Sequence, residues 1–349
     1  MVVTGATGNV GSAVVRALAA EAQVDEVVGV ARRVPDSPLV RHVAADVARD
    51  ELGPVFEGAD AVVHLAWKFQ PIGRPVVTWE ANAIGSGRVF EAAAAAGVRV
   101  LVHASSVGAY SPAPADDPLR RVDESWPTHS LPTASYGREK AYAERVLDAV
   151  EARHPDVRVV RLRPAFTFQR RAAAEQRRIF AGPLVPDRLL RGPLPLLPLP
   201  SALHLQTVHA DDVADAYRRS VLREVRGAFN VAAEPVLDGR ALARLYQARA
   251  IPVPRAVVRA AVALGWHARV LPVDVALVDL FLSVPLLDTT RARRELGWAP
   301  RHDAADALAS FMEGLARGDG ADAPLEADTG VGRVRELATL VGRRDPPVR

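Results

Sequence analysis

The 349-residue chain contains no cysteine. That excludes a disulfide framework, an iron–sulfur cluster and a thiolate zinc site. Lysine is almost missing too: Lys68 and Lys140 are the only two among 44 basic side chains, and the rest are arginine. Where either cation serves, arginine has been used, so the two lysines are candidates for work that needs a compact, titratable ammonium. No run of five like charges occurs and the formal charge is only +3, so no nucleic-acid-binding tail is expected. The longest stretch without Asp, Glu, Lys or Arg runs from Gly192 to Ala210, and four prolines interrupt it. A membrane helix is not expected there. No signal-peptide pattern is visible at Met1-Val2-Val3-Thr4-Gly5, which points to a cytoplasmic protein.

What is present has the ordinary balance of a folded domain, 49% hydrophobic and 24% charged. Over the first 165 residues, short β-branched runs alternate with helical stretches, the pattern of a doubly wound parallel sheet with helices on both faces. Strands are expected at Val2–Thr4, Val27–Ala31, His42–Ala45, Ala61–Ala66, Val98–Ala104 and Val157–Arg163. Helices are expected from Asn9 to Ala20, Glu80 to Ala96 and Ser135 to Ala152. Residues 165–206 are rich in proline, leucine and arginine and carry no such alternation. A helix from Asp212 and a strand at Phe229–Val231 then return, followed by helical segments with proline breaks over 236–317. The first strand begins almost at Met1, leaving few residues to pair, and a start further upstream is one reading of this.

The segment Thr4-Gly5-Ala6-Thr7-Gly8-Asn9-Val10-Gly11 lies at the first strand–helix junction. Glycines there let the chain turn sharply and let a pyrophosphate approach the backbone, while the helix N-terminus offers free N–H groups and a positive dipole end. A dinucleotide-binding domain follows, with Gly5, Thr7, Gly8, Asn9, Val10 and Gly11 as its loop. The second strand ends Val30-Ala31-Arg32-Arg33 with no acid to take a ribose 2′-hydroxyl. An arginine fork suits a 2′-phosphate, so NADP(H) is expected before NAD(H). Asp46, with Val47 beside it, is either an acceptor for the adenine amino group or a turn-capping aspartate. Leu65, Ala66 and Trp67 end the fourth strand, where the backbone passes beneath the cofactor. His64 reads as a satisfied core histidine.

Thirty residues after the fifth strand comes Ser135-Tyr136-Gly137-Arg138-Glu139-Lys140. On a helix Tyr136 and Lys140 share a face. An ammonium beside a phenol favours the phenolate and lowers its pKa from about 10 toward working pH, so that it can exchange a proton near neutrality.

With these motifs the sequence resembles the extended short-chain dehydrogenase/reductase family, the group of NAD-dependent epimerases and dehydratases, over about residues 1–317. Asn82-Ala83-Ile84-Gly85-Ser86, Arg163-Pro164, Val208-His209-Ala210-Asp211-Asp212, Phe229-Asn230-Val231, Asp288-Thr289-Thr290 and Leu296-Gly297-Trp298 complete the likeness. The resemblance implies a Rossmann-type domain (1–165 with 207–233), a smaller, mostly helical substrate-binding domain (166–206 with 234–317), and a tail at 318–349. It implies Ser106 as the catalytic serine beside Tyr136 and Lys140, with Ser105, Pro164 and Phe166 near the cofactor. Asn82 would support the active-site backbone or pack a helix on the sheet. His209, Asp211 and Asp212 read as capping and structural groups, and no metal is assigned.

Dehydratase chemistry is disfavoured, because the Asp-Glu pair of sugar-nucleotide dehydratases has no counterpart beside Ser105-Ser106-Val107. The expected activity is carbonyl/hydroxyl oxidoreduction of a small apolar metabolite by hydride transfer. Its substrate wall would come from 165–206 and 236–285, where the run Leu194-Pro195-Leu196-Leu197-Pro198-Leu199-Pro200 is the extreme case; those leucines equally suit a domain core. A nucleotide-sugar epimerase or reductase is the alternative, with Arg170, Arg171, Arg177 and Arg178 clamping a diphosphate, although Arg171, Arg177 and Arg178 also fit a solvated helical face. A non-catalytic NADP sensor is the alternative from another class. Lys68 either approaches the cofactor or substrate or is a loop lysine. No membrane or nucleic-acid partner is expected, and a homodimer is, since helix-paired dimers are common among relatives.

Overall fold

The computed structural model describes residues 1–35, 39–69, 73–181, 195–201 and 203–319. Leu194 and the tail beyond Asp319 lie outside the described residues. Seven parallel strands form the central sheet: β1 (Val2–Thr4), β2 (Val28–Ala31), β3 (Arg41–Ala44), β4 (Ala61–His64), β5 (Val100–Ala104), β6 (Arg158–Pro164) and β7 (Gly227–Val231). Their order is β3-β2-β1-β4-β5-β6-β7. The short β1 is paired along its whole length on both sides, Val3 with Gly29 of β2 and with Val63 of β4. Strand order reverses at β1, so the crevice beyond the carboxyl ends of β1 and β4 is where such a sheet binds ligands. The fold is the Rossmann-like α/β architecture that the strand–helix alternation predicts.

Valine-rich strands are buried on both faces, as a sheet covered by two helical layers requires. On one side α1 (Asn9–Ala19) packs against α4 (Ala210–Leu222), burying Val14 and Leu18 with Val213 and Tyr217. On the other, α2 (residues 75–95) and α3 (Ser135–Arg153) bury Val89, Phe90, Leu147 and Val150 against the sheet. Trp298, fully buried, closes the first layer and donates its indole N–H to Asp212 O at 2.8 Å.

Two boundaries differ from the sequence expectation. β4 stops at His64 because the chain is drawn toward the glycine loop: Leu65 N donates to Thr4 O at 3.0 Å and Ala66 lies against Gly5. α2 begins earlier, at Pro75, since proline suits a first helical turn. It then widens into a π turn over Glu80–Ile84, which carries Asn82. Residues 165–206 are less irregular than their composition implies. Phe166–Phe168 pairs with Thr207–His209, and Leu196–Pro200 pairs with Arg249–Val253. Proline is tolerated in such two-stranded edges because its missing N–H can face away from the ladder.

Candidate active site

The glycine loop is built as a cradle. Gly5 has φ +70°, and a Cβ there would come within 2.6 Å of Ala66 N; at Gly11 it would meet Gly5 O at 2.0 Å. Loop, first helix and β4 end are thus in backbone contact that only glycine permits. A Cβ on Gly8 would meet nothing nearer than 3.4 Å, so the face presented at the helix N-terminus is open. Thr7 and Val10 are part-buried in the same turn. The Asn9 amide is occupied elsewhere, donating to Thr167 O at 3.1 Å and receiving a bond from Gln169. These residues fit a dinucleotide pyrophosphate on the backbone and helix end.

At the adenosine side, Arg32 and Arg33 are exposed just past β2. Lys68 is half-buried; burial lowers its pKa, and Arg32 and Arg49 lower it further while Asp46 and Glu80 oppose them. The second lysine thus belongs to the charged rim at the ends of β2 and β3. Asp46 caps its own turn, accepting from Ala48 N at 3.0 Å. Two residues expected near the cofactor turn their side chains inward. The Val47 side chain packs inward against Gly85, because the π-turned helix presents a glycine there. Ser105, only 3% exposed, donates its hydroxyl to the buried carboxylate of Glu144 and so faces the interior.

The residues expected to react lie just past β5 and on α3. Ser106 lies two residues past β5 and caps the short turn Val107–Ala109, accepting from Gly108 N at 3.0 Å. Its hydroxyl lies on the Tyr136 side and favours the ionised phenol. The Tyr136 ring lies over Gly108, where even a Cβ would stand 3.0 Å from Cε1. One turn on, Lys140 is buried and donates its Nζ to Ala104 O at 2.6 Å, with the amine 3.4 Å from the Trp67 ring centroid. Burial pulls Lys140 down to about 7, against the opposing pull of Glu139 and Glu144.

The structure corrects the expected electrostatics of the phenol. Tyr136 is raised rather than lowered, by burial first, with the Ser106 hydroxyl opposing and Glu139 adding to the rise. Lys140 is aimed at a carbonyl and a ring, and not at the phenol. Pro164 ends β6, and Phe166 follows with its ring 5.1 Å from Phe281.

Several functional neighbours went unread in the sequence. Glu139, buried, accepts from Thr78 Oγ1 and Asn82 Nδ2, both at 2.7 Å, and its carboxyl is raised chiefly by burial. Asn82 in turn clasps the Lys68 peptide, accepting its N–H at 2.7 Å and donating to its C=O at 2.8 Å. Asn82 therefore does support the active-site backbone. Behind Ser105, Glu144 forms a two-pronged pair with Arg163 at 2.9 and 2.6 Å, and Arg163 also donates to the Tyr110 hydroxyl at 2.8 Å. Glu144 lies at i+4 from Lys140 and i+8 from Tyr136, a spacing that could have marked it as sharing their buried face.

The apolar surroundings also differ from expectation. Tyr136 belongs to a cluster with Phe69, Leu131, Phe180 and Phe281. Phe69 is 4.9 Å from Tyr136, Phe180 is 5.1 Å from Phe69, and Phe281 is 5.7 Å from Phe180. The leucine–proline run does not contribute: Leu199 packs into a separate cluster with Leu237, Leu242 and Leu308, and Leu196 is exposed. Two of the four arginines depart from the arrangements expected of them. Arg170 pairs with Asp319 at 2.8 Å, and Arg177 is only 3% exposed, so it is not on a solvated face. His64 is satisfied, with Thr4 Oγ1 at 2.7 Å and Ser86 Oγ at 2.9 Å, and burial holds it near 3. His209 caps α4 by accepting from Asp211 N, and Asp212 accepts from Arg301 N and His302 N.

A protein of Mycobacterium tuberculosis described as uncharacterized is 26% identical over 357 residues, spanning 99% of this chain and 92% of that one. Among solved structures, gox2253 superposes with a TM-score of 0.70 at 23% identity, covering 92% of this chain and 99% of its own. A dTDP-glucose 4,6-dehydratase of Streptomyces venezuelae, solved with NAD bound, gives 0.67 at 22% identity over 90% and 95%. These structural likenesses establish a shared fold. The sequence pattern of the NAD dependent epimerase/dehydratase family matches residues 1–232. With that match over two-thirds of its length, on the glycine cradle and the serine–tyrosine–lysine group just described, the chain belongs to the NAD-dependent epimerase/dehydratase family.

Proposed function

We propose that the protein is an NADP(H)-dependent oxidoreductase acting on a carbonyl or hydroxyl of a small apolar metabolite. The observation that carries this is the setting of Tyr136: close to Ser106 on one side and walled by Phe69, Phe180 and Phe281 on the other. A bound nicotinamide dinucleotide would supply or accept the hydride. The glycine loop would hold its pyrophosphate, Lys140 its nicotinamide ribose, and Arg32, Arg33 and Lys68 its 2′-phosphate. In the reducing direction Tyr136 gives its proton to the carbonyl oxygen, and Ser106 holds that oxygen by a hydrogen bond. The raised phenol suits this role, since it keeps the proton until negative charge develops on the substrate oxygen.

The aromatic wall favours an apolar substrate over a nucleotide sugar, whose diphosphate would need cations. Two of the four arginines put forward for that task are already paired or buried. A spectrophotometric NADPH-oxidation screen over a carbonyl panel, with NADH in parallel, tests the reading. Turnover of hydrophobic ketones with NADPH preferred is expected; a clear NADH preference overturns the roles of Arg32 and Arg33. Strong thermal stabilisation by UDP- or dTDP-sugars would favour the epimerase alternative.

We further infer a homodimer through α2 and α3. Val76, Trp79, Ile84 and Tyr142 are exposed on these helices, and the Trp79 and Tyr142 rings pack at a tilt, 4.7 Å between centroids. Sedimentation is expected to give a dimer for the natural chain and a monomer for Trp79→Glu; a monomeric natural chain would refute it.

A further inference from the structure

Trp67 is fixed from both sides of the chain. Ala66 is pressed on Gly5, and the Lys68 peptide is clasped at both its N–H and its C=O by Asn82. Between these anchors the indole face lies 3.4 Å from the Lys140 amine. Its ring also meets Tyr136 edge-on, at 6.0 Å and 78°. The indole Nε1 is buried and has no hydrogen-bond partner among the described residues. The ring is therefore held through its face and edge, and both touch the acid/base pair.

Two carboxylates on the helix of Lys140 favour the charged amine, but each is already engaged elsewhere. They are Glu139, tied to Thr78 and Asn82, and Glu144, which is paired with Arg163. From β4 and β5 come His64 and His103, both buried and held neutral, chiefly by burial. The one direct hydrogen bond goes to the uncharged carbonyl of Ala104. An ammonium centred on an indole face is attracted by the ring's quadrupole, and more strongly where water is excluded.

We propose that Trp67 is a positioning residue of the acid/base pair, its indole face keeping the Lys140 amine charged and fixed beside Tyr136. This rests on reading Tyr136 and Lys140 as that pair, but its test needs no turnover. With two lysines in the chain, lysine labelled with ¹³C at Cε gives two side-chain resonances, assigned with Lys68→Arg. In the cofactor-free protein the Lys140 ε-protons are expected upfield of those of Lys68, shifted by the ring current. Trp67→Leu keeps the site apolar while removing the ring; the displacement should vanish and the titration midpoint should fall by about one pH unit. Trp67→Phe, which keeps a smaller ring face, should fall less, and it decides the matter if the leucine variant does not fold. ε-Protons at ordinary positions in the natural chain, or a midpoint that stays or rises on substitution, would overturn the proposal. Failure of the enzymatic reading would appear separately, as carbonyl reduction that survives Tyr136→Phe while these resonances behave as described.

Discussion

Lys140 and Glu144 sit one turn apart on α3, both buried, in opposite electrostatic circumstances. Glu144 faces the Arg163 fork and accepts from the Ser105 hydroxyl as well; burial pushes its carboxyl up, but Arg163 more than cancels this and holds it below the ordinary range. Lys140 faces a carbonyl and a ring, and burial prevails, bringing it to about 7. One charge is saturated with partners and serves the fold. The other is left under-compensated, so its proton can come and go near neutral pH. The difference separates scaffold from reaction site within a single helical turn.

Breaking the saturated side has the largest expected effect on stability. Arg163→Met leaves a buried carboxylate without its cation and is expected to cost about 3–5 kcal/mol, read from denaturant unfolding. Because the Glu144 carboxyl is lowered in the folded state, its contribution is present above the ordinary carboxylate range. It is lost as pH falls through the folded value, so the natural chain should weaken in acid more than the variant does.

Breaking the under-compensated side should do the reverse. Lys140→Met removes a charge the fold holds at a cost and is expected to stabilise the protein by on the order of 2 kcal/mol at pH 6. The folded lysine titrates near 7 and the unfolded one near 10.4. Between those values the unfolded chain binds more protons, so the natural chain gains stability as pH rises and the variant's advantage fades by about pH 10. The variant should at the same time lose most of its carbonyl reduction, about 100-fold or more. A variant less stable than the natural chain at pH 6 would remove the contrast.

The smallest effect sharpens the boundary between the two sides. Ser105→Ala deletes one bond to Glu144 and should cost about 1 kcal/mol, with the KM for NADPH unchanged. A large rise in that KM would return Ser105 to the cofactor site.

The sheet was legible in the sequence because its strands are valine runs with a period the chain cannot disguise, and all seven fall where that pattern predicts within a few residues. Tyr136 and Lys140 stand out in the sequence by their spacing along one helix, and Ser106 by the family resemblance. What was hidden depends on contacts across the chain. Nothing local marks Phe69, Phe180 and Phe281 as one wall, since 67 positions separate Phe69 from Tyr136 in chain order and only folding joins them. The leucine–proline run drew attention by composition, yet Leu199 was claimed by a neighbouring core. The raised phenol escaped because a motif gives the spacing of a lysine but not the direction of its amine.

The most direct measurement is NADPH-dependent reduction of a hydrophobic ketone by the natural chain and by Tyr136→Phe, with NADPH binding measured alongside. A loss of about 100- to 10,000-fold in rate with NADPH affinity preserved is the predicted result. A Tyr136→Phe protein that reduces the ketone as fast as the natural chain would contradict the account.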